Sequence, residues 1–181
     1  KHQPDVLGIS GVVSTGYGYA KRLSLMVRRV SPGARIVVGA NLAASAELLH
    51  RKAGVDYCVI GDGEKSVINL CRYLEARRDD DATRSAIRGL TFLDQAGRLV
   101  FTGYEENTPV AEIPDPDYSI LERYSRLDKF LSDPLTKPDF AKDPRTHEPK
   151  RRGQKLAGVL ASKGCVNRCT FCLRHCFERV H

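Results

Sequence analysis

Short apolar runs alternate with helical stretches through the first part of the chain, and this alternation narrows the possible folds more than any other feature. Asp5-Val6-Leu7-Gly8-Ile9-Ser10 is a strand-like run closed by the small, polar stretch Ser14-Thr15-Gly16. Ala20, Leu23, Met26, Val27 and Val30 then recur at helical spacing, and Ser31-Pro32-Gly33 ends that helix. Arg35–Gly39 reads as a second buried strand, Leu42–Lys52 as a helix stopped by Gly54, and Asp56–Ile60 as a third strand. The third strand breaks at Gly61-Asp62-Gly63-Glu64, after which Val67, Leu70, Cys71 and Leu74 mark another helix.

Strands without polar alternation, joined by helices, predict an α/β fold with a Rossmann-like parallel sheet covered on both faces. Ligands of such sheets bind at the carboxyl ends of the strands, here the loops Ser10–Thr15, Gly39–Asn41 and Gly61–Glu64. A charged, loose stretch from Arg77 to Asp81 precedes a hairpin, in which Gly89–Leu93 and Leu99–Thr102 flank Asp94-Gln95-Ala96-Gly97. Seven prolines punctuate residues 107–153, where helix is expected only near Tyr118–Leu131, and the segment reads as an interdomain linker. Leu156–Ala161 is a fresh strand leading into a cysteine-rich loop. The expected division is therefore 1–106, a linker at 107–153, and the start of a second domain at 154–181. Lys1 in place of Met and an end soon after the last cysteine predict a piece of a longer protein.

The net charge of +7 is unevenly placed. Residues 1–123 hold 16 basic and 16 acidic side chains, whereas residues 124–181 hold 13 and 6. Such a basic segment could meet phosphates or offset a bound anionic group. Its cations are interleaved with Pro and Asp and lack aromatic stacking partners, which argues against nucleic acid. No long apolar run spans a membrane, and no signal pattern opens the chain. Four of the six cysteines fall within residues 165–176, unlike the spread of a disulfide framework, so a reducing cytoplasm is the expected location.

Cys165, Cys169 and Cys172 are spaced C-x3-C-x2-C. Three thiolates on one loop can hold three irons of a cubane cluster and leave the fourth iron open, which suits an active site. A zinc site that adds Cys176 or His175 remains chemically possible. So does an electron-transfer cluster on all four cysteines, although the first gap of three and the Phe177 after the last cysteine depart from the usual bacterial run.

Gly164-Cys165-Val166-Asn167-Arg168-Cys169-Thr170-Phe171-Cys172 resembles the signature loop of the radical S-adenosylmethionine (SAM) enzymes, which follows the first strand of a partial βα barrel. The resemblance implies that Cys165, Cys169 and Cys172 bind a 4Fe-4S cluster and that SAM chelates its open iron. Electrons would come from a donor such as flavodoxin or ferredoxin. Phe171 would lie near the adenine, with a plain core role as the alternative, and His175 and Cys176 would be bystanders.

The early segment, from about Asp5 to Thr102, separately resembles the cobalamin-binding domain that precedes the barrel in one branch of that family. Ser10 and Val12 stand where the family has a Ser-x-Leu element, and Gly39-Ala40 where it has a Gly pair, with Ala40 departing from the second Gly. Gly61-Asp62-Gly63-Glu64 enters a helix, where Glu64 suits the positive end. Small residues at strand ends would let a corrin and its nucleotide tail approach the backbone, although strand-end glycines also make tight turns in any parallel sheet. His2 lacks the Asp and Gly partners of a lower-axial ligand. The two resemblances together imply a cobalamin-dependent methyltransferase acting on an unactivated carbon of a small-molecule substrate. No residue within the chain is assigned a catalytic role. A non-methylating radical SAM enzyme (a cyclase, ring contraction or oxidation) and a non-catalytic zinc- or ligand-binding module are the alternatives.

Overall fold

The computed structural model describes residues 4–77, 80–106, 108–112, 117–136 and 138–156. They fall in two compact units, one up to Pro109 and one from Val110 onwards. The first unit carries a five-stranded sheet in the order β1-β2-β3-β4-β5: Val6–Ser10, Arg35–Gly39, Tyr57–Val59, Leu90–Leu93 and Leu99–Phe101. The first three strands are parallel, as their apolar character predicts, with Ser10 opposite Gly39 at the carboxyl end. The hairpin forms around Asp94–Gly97 as expected, and Asp94 accepts from the backbone N–H of Ala96 and Arg98. It joins β3 antiparallel, pairing Cys58 with Thr91, so the sheet is mixed rather than wholly parallel.

Side chains alternate between the two faces of the sheet. Ile9, Ile36, Val38, Cys58 and Ile60 meet the helices α1 (Tyr17–Val30) and α2 (Ala46–Ala53). In α1 the buried stripe is Ala20, Ser24 and Val27, at intervals of four and three, whereas Met26 and Val30 are exposed. The small Ala20 and Ser24 let the helix lie close to the strands, so the contact face is turned away from the bulkier apolar residues. Helix α2 follows a 3-10 turn at Asn41–Ser45 and ends at Gly54, which takes the left-handed conformation at φ 66° that an L-residue resists.

The other face packs Val37, Tyr57, Val59, Leu90 and Phe92 against Leu70 and Tyr73 of α3 (Gly63–Glu75). Coverage of this face is incomplete: Gly8 and Ser10 of β1 are exposed on it. After α3, Asp81, the last residue of the stretch expected to be loose, opens a short helix, α4 (Asp81–Ser85), where the Asp80 carboxylate accepts from Thr83 N at 2.6 Å. Arg78 and Asp79 lie outside the described residues. Arg84 of α4 bonds Asp81 and lays its guanidinium 4.1 Å above the Phe92 ring.

Two polar groups tie these layers together. The Arg28 guanidinium donates to the carbonyls of Ala34 (2.7 Å) and Gly54 (3.2 Å) and pairs with Asp56, whose carboxylate also accepts from Ile36 N at 2.6 Å. This clamp joins the end of α1, the start of β2 and the turn before β3. His50 of α2 is buried, with Nδ1 2.8 Å from the Val55 carbonyl and Nε2 3.0 Å from Thr91 Oγ1. A carbonyl can only accept, so Nδ1 carries the proton and Nε2 accepts from the threonine hydroxyl.

The second unit contains α5 (Ser119–Tyr124), α6 (Pro138–Ala141) and short 3-10 turns at Leu127–Phe130, Pro134–Thr136, Pro144–His147 and Pro149–Arg151. Prolines open four of these elements, where the lost N–H is one the helix end leaves unpaired anyway. Helical turns thus extend well past the expected Tyr118–Leu131 window. Ser132 and Leu156 exchange two backbone hydrogen bonds of 2.9 and 2.7 Å, which close the unit. The expected strand Leu156–Ala161 lies, apart from Leu156, outside the described residues. Among the described residues no helix is long and apolar enough to cross a membrane.

Burial holds the His50 pKa below its ordinary value, against the raising effects of the Val55 carbonyl, Asp56 and Thr91 and alongside the lowering effect of Arg51. The folded state therefore resists protonation that the unfolded chain accepts below about pH 6.5. The contribution of His50 to stability is constant above that pH and falls as pH drops through it. Urea denaturation at pH 7.5 and 5.5 checks this, with the expected loss at the lower pH diminished in His50→Asn.

Candidate functional site

The exposed half of the second sheet face forms a groove of about 340 Å³ between β1, β2 and α3. Its floor follows from strand alternation: Val6, Gly8 and Ser10 point one way along β1, and Val37 and Gly39 along β2. Its wall is a stripe of α3, Gly63, Val67, Leu70 and Cys71, at helical spacing. Among the described lining residues, the Ser10 hydroxyl and the Cys71 thiol are the polar side chains. A larger groove of about 670 Å³ lies at the amino ends of the same strands, lined by Asp5, Arg35, Glu75 and Arg77. The carboxyl-end groove is the better candidate, because helix N-termini and strand-end amides converge there in parallel sheets.

Glycines make this groove, and they differ in what holds them. A Cβ on Gly8 or Gly39 would meet no atom within 4 Å, so packing does not demand glycine at either position. Their bare backbone instead leaves room for a ligand to lie directly on the sheet. Gly61 adopts φ 92°, which only glycine takes easily, and Gly63 opens α3. Gly11 is the opposite case. A Cβ there would stand 2.4 Å from Leu42 Cβ, because Gly11 N donates to Gly39 O and Leu42 N to Gly11 O across the two loops.

Of the residues singled out from sequence, Ser10, Gly39, Ala40, Gly61 and Gly63 all line this groove. Val12 does not; its side chain is exposed, and its carbonyl accepts from Asn41 Nδ2 at 2.9 Å. Glu64 is exposed on the first turn of α3 and does not line the groove. Ala40 lines it with φ 61° and ψ −159°, a glycine-type conformation that costs an alanine about 1–3 kcal/mol. Sequence reading missed Gly8 and Val37 as floor residues, although period-two alternation along Val6-Gly8-Ser10 and Val37-Gly39 carried the signal. Cys165, Cys169, Cys172 and Phe171 lie outside the described residues. Among the described residues, no group of three or more His, Cys, Asp or Glu is placed to hold a metal ion.

Residues 1–70 match the B12-binding domain family. All the strand-end glycines of the groove fall inside that match. Among solved structures, the chain is similar to the apo, selenomethionine-labelled form of the cobalamin-dependent S-adenosylmethionine radical enzyme OxsB, with 20% identity and a TM-score of 0.52 over 68% of this chain and 17% of that one. OxsB with aqua-cobalamin bound gives 20% and 0.52 over 66% and 16%. The radical S-adenosylmethionine methyltransferase TsrM from Kitasatospora setae, with tryptophan substrate and a SAM analogue bound, gives 21% identity and a TM-score of 0.48 over 57% and 20%. At these identities the OxsB likeness speaks to the fold: an α/β, Rossmann-like domain. The chain spans less than a fifth of the length of OxsB. No curated protein matches it.

The two kinds of glycine give a direct test. Gly11→Ala forces Leu42 off its buried seat and is expected to cost about 1–3 kcal/mol. Gly8→Ala enters open space and should leave stability within about 0.5 kcal/mol. Parallel denaturant titrations of the two variants measure the difference.

Proposed function

We propose that this chain belongs to a cobalamin-dependent radical SAM enzyme, with methyl transfer to an unactivated carbon as its reaction. The observation that carries the cobalamin half is the bare floor at Gly8 and Gly39, within residues matched to the B12-binding domain family. The radical half rests on the spacing of Cys165, Cys169 and Cys172. Pairing a corrinoid domain with a radical-generating loop is what supports methyl transfer.

In this reading the groove receives part of cobalamin, and its fit is steric first. Gly8, Gly39, Gly61 and Gly63 let a flat or extended group reach the backbone, where any larger residue would hold it off. Val37, Val59 and Leu70 exclude water from the buried side, while the Ser10 hydroxyl offers one directional hydrogen bond at the strand end. The thiolates of Cys165, Cys169 and Cys172 would hold a 4Fe-4S cluster, with Phe171 beside the SAM adenine. Cobalamin supplies a cobalt centre that carries a methyl group, and the cluster with SAM supplies a radical able to open a carbon–hydrogen bond.

Each half has its own experiment. The chain should retain hydroxocobalamin on a desalting column, and Gly8→Val should weaken that binding about tenfold, or about 1.4 kcal/mol, at an unchanged melting temperature. A chain that retains none, or a variant that binds as well, overturns the groove assignment. Anaerobic reconstitution with iron and sulfide should give broad visible absorption that Cys169→Ala abolishes. Absorption that survives the substitution overturns the cluster assignment.

A further inference from the structure

From Lys142 to Lys155 the chain holds six basic and two acidic side chains, a local surplus that the groove of the first unit does not use. A groove of about 520 Å³ lies within the second unit, with Asp133, His147, Arg151, Arg152, Gly153 and Lys155 among its lining residues. Three of these carry a positive charge at neutral pH, and Asp133 is the acidic member.

The basic residues of this unit differ in how far they are already neutralised. Arg126 and Arg145 are engaged by Asp128 and Asp143, and Lys150 and Arg151 share Glu148 at 3.0 and 3.7 Å. Arg152 and Lys155 are exposed, and among the described residues no carboxylate lies within ion-pair distance of either. The Asp133 carboxylate accepts from Leu135 N at 2.9 Å rather than from a cation.

The backbone adds donors beside these charges. Gly153 has no side chain, so it lines the groove with main-chain atoms, at a φ of 74°. Among the described residues, Gly153 N and Lys155 N meet no acceptor. The surrounding chain is braced: Ser132 and Leu156 exchange two backbone bonds, Gln154 N donates to Arg151 O at 3.1 Å, and His147 Nε2 donates to Ala141 O at 2.8 Å. Unpaired cations next to free amides on a fixed loop are the donor set that holds phosphate oxygens. The volume is that of a small-molecule site, and no Phe or Tyr among the described lining residues offers a base a stacking surface.

We propose that this groove binds the phosphate group of a small phosphorylated molecule, through Arg152, Lys155 and the N–H of Gly153. Phosphate is favoured over a carboxylate because its second negative charge matches the second unpaired cation. The site lies in the second unit and does not rest on the cobalamin reading.

Isothermal titration calorimetry of the whole chain tests this with inorganic phosphate and pyrophosphate at about 0.15 M salt. Both should bind, and the double variant Arg152→Ala with Lys155→Ala should weaken each about tenfold, the loss of a charge-assisted hydrogen bond. Arg126→Ala with Lys142→Ala removes two cations of the same unit that do not line the groove, and both affinities should then stay within about twofold. All four positions are exposed, so the substitutions leave the fold intact. An equal loss in the two double variants means diffuse attraction to a basic surface and overturns the site. Acetate competing as well as phosphate overturns the choice of ligand. An octaglutamate peptide binding more tightly than pyrophosphate assigns the face to an acidic protein instead, and absence of binding by both phosphate probes overturns the proposal outright.

Discussion

The approach of Gly11 to Leu42 sets the geometry on which the rest of the first unit depends. Two loops from neighbouring strands meet there at a distance that forbids a single extra carbon. Their mutual hydrogen bonds hold Ser10 and Gly39 level at the carboxyl end of the sheet. A level pair of strand ends makes a floor; staggered ends would have left a step with a side chain on it. The conformation of Ala40 and the start of α2 also follow from this one contact, since the turn between them is fastened to Gly11.

The opposite end of the sheet is built by different means. There, Arg28 and Asp56 satisfy carbonyls and amides that the chain reversals leave unpaired, so the turns at the amino ends are braced by charged hydrogen bonds beside the larger groove. At the carboxyl ends, by contrast, the glycines leave backbone uncovered. Side-chain hydrogen bonds brace the turns at one end of the sheet, and bare backbone is left at the other.

Much of this architecture was legible in the residues, where the determining physics is local. Gly54 after α2 and Asp94–Gly97 between two apolar runs announce a helix stop and a hairpin through turn chemistry that needs no distant partner. Long-range choices were not legible. Nothing in Gly89–Leu93 says that it will pair antiparallel with β3, and nothing in α1 says that Ala20 and Ser24 will face inward while Met26 does not. Those outcomes depend on which surfaces can approach closely. The three strand-end loops were legible from their place after apolar runs, the family resemblance singled out Ser10, Gly39 and Ala40 within them, and the fold brings these together with Gly61 and Gly63. Gly8 escaped notice because a glycine inside a strand looks like a weakness until the strand's two faces are separated. Ala40 reads as a departure from a glycine pair, yet the backbone keeps the glycine shape regardless of the side chain.

Strand β1 has one further consequence. Among the described residues it pairs only with β2, which leaves a rail of backbone donors and acceptors about 17 Å long on its outer side. That rail borders the groove. An extended segment that zips onto it would raise a new flank beside Gly8 and Ser10, and the two binding events would then share free energy. If strand addition tightened the groove's ligand by some factor, the ligand would tighten strand addition by that same factor. The edge and the groove would then be linked through the five residues of β1.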